Sequence, residues 1–131
     1  MPPERRRVDS GSPYEPVIGF SRAVRVGDRV LVSGTAPIEP DGHVDPDPGR
    51  QTTRALRIVL RALADLGAAA EDVVRTRIYL VDRADADAVG RAHGTVFGGI
   101  RPAATMVVVA GLLDPRWKVE IEAEAVLAAG P

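Results

Sequence analysis

The sequence has no cysteine, which removes thiolate nucleophiles, cysteine-based zinc sites and disulfides at once. A reducing cytoplasm is the natural compartment for such a chain. Lysine is nearly absent as well: among 17 basic residues Lys118 is the sole lysine, so a lysine Schiff base has one candidate. That residue stands beside Trp117 at a strand start, where a solvating role suits it. Aromatic residues make up only 4% of the chain, too few for a stripe on which the bases of a single strand could stack. Positive charge is not in surplus either, with 17 basic against 18 acidic side chains. The one basic run, "ERRR" near the N-terminus, reads as a solvated end, so nucleic acid is not an expected partner. No apolar run approaches the length of a membrane span, and the opening prolines and arginines lead into no hydrophobic segment. A soluble, cytoplasmic, non-exported protein that does not engage membranes is expected. The histidines, His43 and His93, are too far apart to suggest a metal site.

What is present fits one domain over residues 1–131, long enough to bury a core without staples, with about residues 1–15 loosely ordered. "AVRVGDRVLVSGTAP" is apolar on both sides of Gly27-Asp28, a turn pair that joins strands of about Ser21–Val26 and Arg29–Gly34. The Pro-, Asp- and Gly-rich loop "IEPDGHVDPDPG" follows, with Pro48 placed to open a helix. From Arg50 to Leu66, Thr52, Leu56, Val59, Leu60 and Leu63 repeat at helical spacing, opposite a wet face of Arg50, Arg54, Arg57 and Arg61. Gly67 caps its end. "DVVRTRIYLVD" reads as a strand with Val74, Thr76, Ile78 and Leu80 on one side and Arg75, Arg77 and Tyr79 on the other. A second helix covers about Asp85–Phe97, with Val89, Ala92, His93, Val96 and Phe97 as its apolar face, released by Gly98-Gly99.

The last stretch, "RPAATMVVVAGLLDPRWKVEIEAEAV", reads as two buried strands joined by a turn, about Ala104–Ala110 and Trp117–Leu127. The second carries Glu120, Glu122 and Glu124 at every other position, so all three share one sheet face, while Val119, Ile121, Ala123 and Ala125 share the other. Such a face is either an ion-paired surface or a site that uses a carboxylate. The order β-β-α-β-α-β-β predicts an α+β fold, a single sheet with two helices packed on one side. Its other face, rich in valine and charge, calls for burial against identical subunits.

Four segments, "GFSRAVRVGDRVLVSGTAP", "DVVRTRIYLVD", "VFGGIRPAATMVVVAGL" and "KVEIEAEAV", in this order and spacing resemble the Rid family, also called YjgF or endoribonuclease L-PSP type, over nearly the whole chain. The resemblance implies a chorismate-mutase-like fold and a homotrimer with an inner β-barrel. It also implies small-molecule clefts between subunits and cofactor-free, metal-free hydrolysis of reactive enamines or imines, such as 2-aminoacrylate. A carboxylate-bearing substrate of that kind needs a guanidinium, a donor near the imine and a group that handles water. The arginine of the family's "PAR(S/T)" segment falls on Ala104, the tyrosine of "PYSQAV" on Phe20, and an asparagine of the second helix on Gly90. A divergent member is thus expected, with a specificity different from that of the 2-aminoacrylate deaminases.

The resemblance carries over Gly34, whose backbone would line the cleft together with Thr35, and Glu120, which would lie near the substrate and its water. For Glu120 the competing role is a barrel-lining ion pair; Glu122 and Glu124 are expected to pair with arginines such as Arg77. Arg22 stands where the family usually has glutamine, and either points at the cleft or serves the glutamates. Arg101 is a second candidate anion anchor, with plain exposure as the alternative. His93 is either a general base at a subunit cleft or, the favoured assignment, a core or interface histidine between Val89 and Phe97. Phe20, Ala104 and Met106 make an apolar pocket floor that suits a less acidic ligand. The alternative to catalysis is a non-catalytic module that binds a small metabolite in the same cleft; endoribonuclease activity ranks below both.

Overall fold

The computed structural model of the chain describes residues 4–128. Its strands are β1 (Arg5–Val8), β2 (Ala23–Val26), β3 (Arg29–Thr35), β4 (Val73–Leu80), β5 (Ala103–Val108) and β6 (Val119–Val126). The helices are α1 (Pro48–Asp65) and α2 (Ala86–Phe97). All strands join one mixed sheet in the order β1-β2-β3-β6-β4-β5, so the fold is α+β as expected.

The long helix starts and stops where its sequence dictates. Asp47 caps it by accepting from the Arg50 backbone N–H at 2.9 Å, and Pro48 takes the first turn, where its missing N–H costs nothing. At the other end Gly67 adopts φ +84°, and the Gly67 and Ala68 N–H groups bond back to Ala64 and Leu63. This is the left-handed closure that glycine permits without a Cβ clash. The face turned to the sheet is Thr52, Ala55, Leu56, Val59, Ala62 and Leu63, all buried. They pack on Val30 and Val32 of β3 and on Ile121, Ala123 and Ala125 of β6. Fully burying each large aliphatic side chain contributes about 1.5–3 kcal/mol.

Gln51 is fully buried in the first turn of α1. Its amide nitrogen donates to the carbonyls of Asp45 (2.8 Å) and Arg116 (2.9 Å), and its oxygen accepts from the Lys118 N–H (2.8 Å). With every polar atom partnered, this side chain ties the helix start to the approach of β6 instead of costing stability.

Three features depart from the sequence expectations. Residues 5–8, within the segment expected to be loosely ordered, form an edge strand that pairs antiparallel with β2, giving an order of β-β-β-α-β-α-β-β. The two last strands are not neighbours: β4 lies between them, and β5, joined to β4 in parallel through α2, is exposed along its whole length. A parallel partner requires a long crossover, and α2 supplies it. Finally, a register shift between Val73 and Arg75 turns Val73 into the core and leaves Val74 exposed, while Thr76, Ile78 and Leu80 keep their inward places. The extra residue of a bulge flips the alternation on one side of it only.

Candidate functional site

The outer face of β6 carries the three glutamates, each half-buried, opposite Val119, Ile121, Ala123 and Ala125 at 0–3% exposure. The register sets their neighbours: Glu120 faces Tyr79, Glu122 faces Arg77 and Glu124 faces Arg75 on β4. Glu122 and Glu124 are the ion-paired acids. Arg77 Nη1 lies 3.1 Å from Glu124 and 3.5 Å from Glu122, the Tyr79 hydroxyl donates to Glu122 at 2.7 Å, and Arg29 approaches Glu124 at 3.7 Å. The Glu124 bond raises the Arg77 pKa, and the bond to Glu122 raises that of Tyr79.

Glu120 has a different setting. Among the described residues no side chain donates a hydrogen bond to it, and its carboxylate rests on the backbone of Gly34. A Cβ built at Gly34 would lie 2.5 Å from Glu120 Oε2. Burial pushes the Glu120 carboxyl above the usual carboxylate range; Arg22 opposes that shift and Glu122 adds to it.

Arg22 enters from the segment before β2. Its Nη2 donates to the carbonyls of Ser33 (2.7 Å) and Gly34 (2.8 Å), while its buried Nε finds no acceptor. Desolvation lowers the Arg22 pKa, against the favourable fields of Glu15 and Glu120. The preceding turn is held by buried Glu15, whose carboxylate accepts from the Ser10 N–H at 3.1 Å and the Ser10 hydroxyl at 2.6 Å. That turn leaves Val17 (83%), Ile18 (68%) and Phe20 (40%) exposed. Sequence reasoning passed over Glu15; a lone acid in a loop carries no periodic signal.

The remaining predicted positions lie elsewhere. Thr35, next to Gly34 at the end of β3, is fully buried, and its hydroxyl donates to Ser33 O at 2.7 Å. Ala104 and Met106 pair with Thr76 and Ile78 in parallel register, so they point to the helix side of the sheet, and the Met106 methyl lies 3.9 Å from a Cβ built at Gly90. His93, on the same side, bonds Thr76 Oγ1 through Nε2 at 2.9 Å and packs on Phe97 with ring centroids 4.8 Å apart. Burial lowers its pKa and so favours the neutral imidazole. Arg101 is exposed at φ +60°; among the described residues its side chain has no hydrogen bond or ion pair.

The candidate residues therefore divide into two clusters. Arg22, Gly34 and Glu120 gather on the outer face with Phe20 just before Arg22, whereas Gly90, Ala104 and Met106 sit toward the helices at the β5 edge. Glu120 on β6 is separated from β5 by β4, two strand spacings or about 9.5 Å in the plane of the sheet. A groove of about 500 Å³ lies at neither cluster's centre. It runs between the end of β1 and α1, with Arg22, Arg54, Arg57 and Arg61 among its lining and Asp9 and Asp65 opposing them.

Residues 11–127 match the family described as Endoribonuclease L-PSP. The chain is 46% identical to an uncharacterized protein of Streptomyces coelicolor over 121 residues, 92% of this chain and 90% of that one. It is 30% identical over 126 residues to the 3-aminoacrylate deaminase RutC of Acinetobacter baylyi, 94% of this chain and 98% of the relative. Among solved structures, a Mycobacterium tuberculosis member of the YjgF/YER057c/UK114 family superposes with a TM-score of 0.87 at 44% identity, covering 95% of this chain and 100% of that one.

Proposed function

The chain belongs to the endoribonuclease L-PSP family, also called Rid or YjgF, and from that premise we propose that it hydrolyses a small enamine or imine without a cofactor, in clefts between the subunits of a homotrimer. The observation that carries this reading is the setting of Glu120: half-buried, unpaired by any donor among the described residues, raised in pKa and pressed against the Gly34 backbone. A carboxyl held above its usual range exchanges protons nearer neutral pH than an exposed one. As the anion it takes a proton from water as the oxygen adds to the imine carbon and passes it to nitrogen, giving a carbinolamine, whose hydroxyl proton it then carries to nitrogen. Ammonia leaves and a carbonyl remains; an enamine first takes a proton at carbon to become the imine.

Two features support assembly. The two clusters lie on different sides of one sheet, so a single chain does not join them, and the β5 edge and the 14–20 turn both expose apolar side chains. A neighbouring copy that lays its β5 edge against the Arg22–Gly34–Glu120 cluster covers both and completes the cleft. Light scattering is expected to give a trimer, and a stable monomer at micromolar concentration refutes the shared site.

Specificity follows from what each cluster offers. Ala104 carries no charge and Arg22 holds Nη2 on two carbonyls, so the guanidinium left for a substrate carboxylate is a partly engaged one. Partly buried charge-assisted bonds contribute about 1.5–3 kcal/mol each; without them 2-aminoacrylate turns over weakly and an uncharged imine is favoured. The test is ammonia release from imines generated in place, with Glu120→Gln expected to abolish it and Ala104→Arg with Phe20→Tyr to raise the 2-aminoacrylate rate. The same two positions, Ala104 and Phe20, favour a second reading, a binding module. Saturable binding of an imine analogue with no product from any imine would establish it.

A further inference from the structure

Arg22 is tied to the site by contacts that do not depend on any substrate. Its Nη2 bridges the carbonyls of Ser33 and Gly34, at 2.7 and 2.8 Å, at a place where the β3–β6 register shifts between Val32 and Thr35. A shifted register weakens the ladder's own hold on this backbone. The guanidinium supplies the missing restraint. Gly34 is also the surface on which the Glu120 carboxylate rests, so the chain Arg22, Gly34, Glu120 is continuous.

We propose that Arg22 is a positioning residue for Glu120: it fixes the Ser33–Gly34 backbone against which the carboxylate lies, and its partly buried charge stabilises the carboxylate anion across that contact. The inference rests on Glu120 being the working group of the cleft. The other charged or titratable groups facing Glu120 are Glu122 on its own strand and Tyr79 on β4, and Glu15 faces Arg22 from the turn. Glu122 disfavours the Glu120 anion and Tyr79 is already given to Glu122, which leaves Arg22 as the cation that favours it. Desolvation is the larger influence, and Arg22 limits what it does.

The experiment is a carboxyl ¹³C NMR titration of Glu120 in the intact protein, with Glu120→Gln identifying the signal. Arg22→Gln, which keeps an amide able to reach one carbonyl but removes the charge, is expected to move the Glu120 midpoint up by about one pH unit. Arg22→Met, which keeps the apolar stem and carries no unpaired donor, gives the same shift should the glutamine variant fold poorly. Arg22→Lys retains the charge, and its midpoint stays near that of the parent. A folded Arg22→Gln or Arg22→Met protein with an unmoved midpoint overturns the proposal. So does an Arg22→Lys shift as large as that of the neutral variants, because a packing role alone would not tell them apart. Turnover is a separate readout: an unmoved midpoint overturns the coupling even in an active hydrolase, and a moved midpoint in a protein with no turnover keeps the coupling and refutes the hydrolase.

Discussion

Glu120 and Glu122 are two residues apart on the same face of the same strand, yet they do different things. Glu122 meets a hydroxyl and a guanidinium from β4 and is neutralised by them, whereas Glu120 meets the bare backbone of Gly34 and an arginine committed elsewhere. Strand alternation assigns the face; the residue opposite assigns the role. One end of the acidic ladder is ion-paired, and the other leaves a carboxylate with no hydrogen-bond donor among the described residues.

The sharpest way to break that contrast is Gly34→Ala. Its methyl would sit 2.5 Å from Glu120 Oε2, and the yielding group is the flexible end of a side chain rather than backbone. Folding is expected to survive with a change below about 1 kcal/mol, since little packed structure moves. Turnover should fall about 10²-fold, the scale expected when a reacting group is displaced by about an ångström. Equal losses of stability and activity would show that Gly34 serves the fold and not the carboxylate.

At the structural end, Tyr79→Phe removes the donor to Glu122 while keeping the ring. A net loss of about 0.5–1.5 kcal/mol is expected, read from chemical denaturation, with imine turnover unchanged. A drop in turnover without a drop in stability would make Tyr79 part of the site and merge the two ends of the ladder.

The sequence carried those parts of the fold that depend on local period or on special backbone. The β6 alternation, the α1 core face, Asp47-Pro48 at its start and Gly67 at its end all have local causes, and all are found. What escaped is set by distant partners. The pairing of β5 with β4 is not written in "AATMVV", which reads as buried but lies at an open edge, and the charged "RRRV" becomes a strand because an edge beside β2 tolerates charge. Gln51 and Glu15 are buried because backbone groups far along the chain or across a turn satisfy them. At the site, the acids were visible, and the pairing of Glu122 and Glu124 with Arg77 follows from period two. The Gly34 contact that separates Glu120 from them depends on an irregular register between β3 and β6, and the direction of Arg22 depends on which carbonyls that irregularity leaves open.

The smallest expected effect tests the electrostatic side of the contrast, and its sign follows from burial. Glu120 is raised in the folded protein above its ordinary value of 4.5, first by desolvation. Well below that pH both folded and unfolded chains hold the proton, and the group contributes no difference. As pH rises the unfolded chain releases its proton first, so stability falls through the interval between the two values and is constant above it. Glu120→Gln cannot ionise, so at equal protomer concentration it is expected to melt higher than the parent at pH 7 and to lose that advantage near pH 4. Thermal unfolding at the two pH values reads the difference directly. A glutamine variant that melts lower at pH 7 would mean that the field of Arg22 outweighs desolvation, making Glu120 a paired structural acid like Glu122 and removing the distinction on which the catalytic reading depends.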